Sequence, residues 1–114
     1  MKRLAIAVAL ALSVAGSARP AAAASDYPTE ALADYVFACM ASNGQTQENL
    51  RRCSCSIDVI ATIIPYDKYV QAQTVMSMVQ TPGENAAMFR DVPWMQQEVA
   101  DLKRAQAEAE IRCF

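Results

Sequence analysis

An all-α domain, a small disulfide-stapled bundle of about four helices, is what this sequence predicts, and three observations carry the prediction. Glycine is scarce, with three residues in the chain, while Ala, Leu, Gln, Glu and Met, good helix formers, are abundant. Apolar residues recur at helical rather than alternating spacing, in segments separated by turn signals. The four cysteines, an even number, suit a domain too small to rely on its core alone.

The chain opens on Met1-Lys2-Arg3, continues through the apolar run LAIAVALALSV (Leu4 to Val14), and reaches Ala22-Ala23-Ala24 before Ser25. A cationic start, an apolar stretch and a small-residue cleavage site read as a secretory signal peptide over residues 1–24. The run is too short to cross a hydrocarbon core of about 30 Å. Residues 25–114 then form one exported domain with no membrane segment.

The first helix is expected from Thr29, which can cap it, through EALADYVFACMA, with Leu32, Tyr35, Val36 and Cys39 on one face. Ser25 to Pro28 reads as a loose lead-in. Asn43-Gly44 ends the helix and turns the chain. Thr46 caps a second helix, Gln47 to Ile64, whose apolar stripe is Leu50, Cys53, Ile57, Ile60, Ala61 and Ile64, and Pro65 stops it. A third, less regular helix runs from Asp67 to about Gln80, and Thr81-Pro82-Gly83 ends it. A short helical turn covers Glu84 to Phe89. Pro93 starts a final long helix with Met95, Val99, Leu102, Ala109 and Cys113 on its inner side, and Gln97, Asp101, Arg104 and Glu108 in solvent.

Two of the cysteines lie in RRCSCSID. On a helix, residues two apart point about 200° away from each other, so Cys53 and Cys55 cannot converge on one metal ion or form a redox pair. They reach two different partners, Cys39 and Cys113. The pairing Cys39–Cys53 with Cys55–Cys113 is favoured because Cys53 shares the stripe that faces helix one; the swapped pairing stays open. Export favours oxidised, structural cysteines, and neither a thioredoxin-like C-x-x-C nor a zinc-ribbon spacing is present.

No histidine occurs anywhere. That removes the commonest general base, the Ser-His-Asp and Cys-His arrangements and the H-E-x-x-H zinc motif, so the chain reads as a non-enzyme with no organic cofactor. Residues 25–114 carry twelve acidic and seven basic side chains, a net charge near −5, which argues against nucleic acid or an anionic membrane as partner.

Charge is also unevenly placed. Between Pro20 and Leu50 there are four acids, Asp26, Glu30, Asp34 and Glu48, and no Lys or Arg. Asp26, Glu30 and Asp34 recur every four residues, so a helix extended that far back would carry them as one stripe. Uncompensated carboxylates suit calcium or a trivalent ion of similar size. The competing account is that acids in a first turn complement the helix dipole. Glu98 and Asp101 form a second, weaker set, close in sequence to Lys103 and Arg104. The methionines are read as core filling rather than thioether ligands. Tyr27, Trp94 and Phe114 are candidate partner contacts.

The segments ADYVFACM, RRCSCSIDVI and AEIRCF resemble the LanD-like family, small periplasmic lanthanide-binding proteins of methylotrophic bacteria. The resemblance covers essentially residues 25–114 and rests on overall layout, without a short diagnostic motif. It implies a periplasmic metal carrier in the lanthanide supply of pyrroloquinoline quinone alcohol dehydrogenases. A surface site of carboxylates, completed by a second copy of the protein, is implied as well. It matches no ligand to a position here, so Asp26, Glu30 and Asp34 rest on charge placement alone. Two alternatives are a disulfide-stapled interaction module that docks on a larger periplasmic enzyme without metal, and a thiol oxidoreductase with free cysteines.

Overall fold

A computed structural model describes residues 25–80 and 82–114. The segment read as a secretory leader, residues 1–24, lies outside the described residues. The described chain is all-α, in five helices: α1 (Thr29–Asn43), α2 (Gln47–Ile63), α3 (Tyr66–Gln80), α4 (Glu84–Arg90) and α5 (Pro93–Cys113). The bundle therefore has one helix more than the expected four, because the turn expected at Glu84 closes into the short α4. No helix among the described residues is long and apolar enough to cross a membrane.

Packing is centred on α2 and α5. α1 lies against α2, while α3 packs on α5 with α4 beside them. Ile57, Ile60, Leu102, Ala105 and Ala109 interlock at the centre, and Ile60, Leu102 and Ala105 have no exposed surface. The small Ala105 and Ala109 let the two long helices approach closely. Of the expected methionine core, Met95 is buried and Met40 and Met76 are half-buried, but Met88 is 71% exposed and fills nothing. Leu50, expected inside, lies at the surface, as does Val70.

Both bridges form, Cys39–Cys53 and Cys55–Cys113, and no cysteine is free. The first ties α1 to α2 and the second ties α5 to α2, as diverging side chains on one helix require. Cys53 is fully buried. α1 depends on its bridge, since it contributes no fully buried residue of its own.

Turns follow local chemistry. Gly44 takes φ 110°, and a side chain there would meet Asn49 Nδ2 at 3.2 Å. Asn49 Nδ2 donates to the Asn43 carbonyl (2.7 Å) and the Gly44 carbonyl (3.0 Å), satisfying acceptors left over at the end of α1. Thr46 Oγ1 accepts from the Asn49 N–H at 3.1 Å and caps α2. Thr46→Ala is expected to cost about 1 kcal/mol of stability in urea unfolding. Thr29, by contrast, is not a cap: Pro28 holds the N-cap position with ψ 150° and gives no side-chain bond.

The segment before α1 is not a loose lead-in. Tyr27 is 5% exposed, its hydroxyl donates to the Ile64 carbonyl at 3.0 Å, and its ring meets Tyr66 and Tyr69 at 5.2 and 5.1 Å between centroids. It belongs to the core, so the expectation that Tyr27 marks a partner surface is overturned. The aromatic ring supplies apolar area that α1 does not, and its hydroxyl satisfies a carbonyl at the C-terminus of α2. Trp94 and Phe114 do remain exposed; Arg52 lies over the Phe114 ring at 5.8 Å from its centroid and pairs with Glu48.

Candidate functional site

The three carboxylates singled out by charge placement do not form one stripe. Pro28 sets the start of α1, and a residue preceding proline is pushed away from helical backbone, so the helix cannot run back through Tyr27 to Asp26. Asp26 instead accepts the Tyr66 N–H on Oδ2 at 3.0 Å, serving the first turn of α3. An acid there also complements the helix dipole.

Glu30 and Asp34 do stay together. Both project from α1 into an open groove of about 510 Å³ whose far wall is α3. Residues Tyr66, Tyr69, Val70, Gln73, Thr74 and Ser77 form that wall, and their spacing is one continuous helical face. Five of the six carry an oxygen-bearing side chain. Among the described residues no Lys or Arg lines the groove. The wall was findable in the sequence, since hydroxyl and amide residues at 66, 69, 73, 74 and 77 repeat at helical spacing, but charge alone did not lead to it.

The aromatic floor of the groove is electrostatically distinct from its rim. Tyr69 is buried, and burial pushes its phenol above the ordinary value, partly opposed by a hydrogen bond with Gln73. Tyr35 of α1, which is not part of the groove lining, is likewise pushed up, by burial first, with Ser56 as its hydrogen-bond partner opposing the shift. These phenols stay neutral across physiological pH and act as donors, acceptors and apolar surface rather than as charges. Glu30 and Asp34 are exposed at the rim. Thr74 Oγ1 donates to the Val70 carbonyl at 2.8 Å and Ser77 Oγ to the Gln73 carbonyl at 3.0 Å.

The second carboxylate set is already compensated. Lys68 Nζ lies 2.9 Å from Glu98 Oε1 and joins α3 to α5, and this contact holds the Lys68 ammonium above its usual pKa. Asp101 Oδ1 accepts from Gln97 at 2.9 Å and Arg104 at 3.4 Å. Among the described residues no three metal-ligating side chains of Asp, Glu or Cys come together. Glu30 and Asp34 thus face an oxygen-lined wall without an ion pair among the described residues.

Phe37 lies on the α1 face that carries Glu30 and Asp34, at the spacing 30, 34, 37, and is 72% exposed. Phe37 also borders a separate apolar groove between α1 and α2, lined by Leu32, Val36, Met40 and Ile57. No family model, curated protein or solved structure matches the chain.

Proposed function

We propose that this is a non-enzymatic, exported metal-binding or trafficking protein of the periplasm that holds a hard cation, a lanthanide or calcium, at the groove between α1 and α3. The observation that carries the reading is the composition of that groove: Glu30 and Asp34 face five oxygen-bearing residues of α3, with no cationic side chain among the described residues lining it. Hard cations take six to eight oxygen ligands and favour carboxylates. Two carboxylates supply at most four, so a second copy completes the coordination, with Phe37 of each α1 flanking the shared ion. The disulfides agree with an oxidising compartment, and the resemblance to LanD-like proteins favours a lanthanide over calcium.

A metal bound only by the folded state stabilises it by about 2.7 kcal/mol at a hundredfold excess over Kd. Titrating the oxidised protein with lanthanum or calcium is therefore expected to raise its thermal midpoint and, in the same sample, to double its hydrodynamic mass. Glu30→Gln with Asp34→Asn abolishes both effects. An unchanged midpoint and mass with either ion would overturn the reading. A specific partner recovered from periplasmic extract in chelator would instead favour the metal-free interaction module, for which the exposed Phe37 on a helix lacking buried residues speaks.

A further inference from the structure

On the face of α3 opposite that groove lies a second cavity of different chemistry, between α3, α4 and α5. Its volume is about 290 Å³ and its walls are Val75, Val79, Phe89, Met95 and Val99. Arg90 and Lys103 line it too. Cations are scarce in residues 25–114, and four of the seven are committed to ion pairs: Arg52, Lys68, Arg104 and Arg112. Of the remaining three, two converge on this one apolar cavity, and neither has a carboxylate partner among the described residues.

The two cations are differently held. Arg90 Nη2 donates to the Val79 carbonyl at 3.2 Å, bonding an acceptor in the last turn of α3 and fixing the guanidinium beside the cavity. Gln96 Nε2 donates to the Arg90 carbonyl at 2.6 Å, tying the end of α4 to α5. A guanidinium has five donors, so the Val79 bond leaves others for a ligand. Lys103 lies one helical turn beyond Val99, on the cavity side of α5, as a mobile point charge.

We propose that this cavity binds a single-chain amphiphilic carboxylate, its alkyl tail among the valines, Phe89 and Met95 and its headgroup between Arg90 and Lys103. The volume sits at the small end of ligand pockets, which suits a chain of roughly eight to ten carbons. An apolar interior fixes the tail without specificity, while the charge-assisted bonds at the mouth select an anion. The site is separate from the carboxylate groove and does not rest on the metal reading.

Calorimetric titration of the oxidised protein with decanoate, below its micelle concentration, tests the assignment. Saturable one-to-one binding is expected, strengthening about fourfold per methylene from hexanoate to decanoate. Decanol should bind about tenfold or more weakly, because it lacks the charge. Lys103→Glu, a surface change, is expected to reduce decanoate affinity at least about tenfold while leaving decanol unaffected. Val99→Trp, which fills the cavity, should abolish binding of both; if that variant does not fold, Lys103→Glu still decides. No saturable binding at millimolar decanoate, equal affinity for decanol, or an unchanged Lys103→Glu variant would each overturn the proposal.

Discussion

Replacing Cys55 and Cys113 together by alanine is expected to lower the unfolding free energy by about 4 kcal/mol, the largest single effect in the molecule. The bridge spans 58 residues and joins α2 to α5, the central packed pair, so its loss returns a long loop to the unfolded ensemble. Domains of this kind have total stabilities of about 5–15 kcal/mol, so the variant should sit close to its unfolding transition at ambient temperature. Cys39→Ala with Cys53→Ala removes a 14-residue closure worth about 3 kcal/mol. Its consequences differ in kind. α1 buries no residue completely, so without its bridge it should detach locally while α2, α3 and α5 stay packed. Urea unfolding gives the two magnitudes, and amide exchange across residues 29–43 reports the detachment. A larger loss from the 39–53 bridge than from the 55–113 bridge would contradict this hierarchy.

Tyr27→Ala is the second large expectation, about 3 kcal/mol, as for truncation of other buried aromatics. The ring fills the space between Tyr66, Tyr69 and Ile64, and the hydroxyl occupies a carbonyl that no helical N–H reaches. Tyr27→Phe isolates the hydrogen bond and should cost about 1 kcal/mol at neutral pH. The same contact makes the protein sensitive to alkali. Burial chiefly, then the neighbouring Tyr69, Asp26 and Tyr66, drives the Tyr27 phenol far above its ordinary value of 10.0. The folded state therefore keeps its proton where the unfolded chain loses it. Its stabilising contribution is intact below pH 10 and is progressively lost as the pH climbs above that value. Phenylalanine does not titrate, so the stability gap between wild type and Tyr27→Phe should narrow above pH 10 and then reverse. A gap that stays constant with pH would show that Tyr27 ionises freely and is not enclosed as described.

Much of the architecture was legible because it follows from local rules. Thr46, Asn43-Gly44, Pro65 and Pro93 each act within one turn of their own position, and each marks a boundary where expected. That Cys53 and Cys55 take different partners followed from their angular divergence on one helix, and the favoured pairing from the apolar stripe that Cys53 shares. What escaped was long-range. The burial of Tyr27 depends on a carbonyl 37 residues away, and the capping of α3 by Asp26 on an N–H 40 residues away. Neither partner is signalled near those residues. The split of the carboxylate stripe was readable in principle, since Pro28 stands between Asp26 and Glu30 and fixes the helix start. Spacing by fours overrode that local signal. The α3 wall of the groove was missed because neutral oxygens carry no charge to draw attention, although their spacing is regular.

Tyrosine-sensitised terbium emission tests the central claim most directly, because Tyr66 and Tyr69 line the same groove as Glu30 and Asp34 while Trp94 does not line it. Excitation of the tyrosines in the oxidised protein is expected to give terbium emission that saturates with added ion and is displaced by lanthanum. Glu30→Gln with Asp34→Asn should abolish it, and Tyr66→Leu should weaken the emission while leaving the lanthanum-induced rise in thermal midpoint in place. Emission that is absent, or that persists unchanged when both carboxylates are neutralised, would contradict a hard-cation site between α1 and α3.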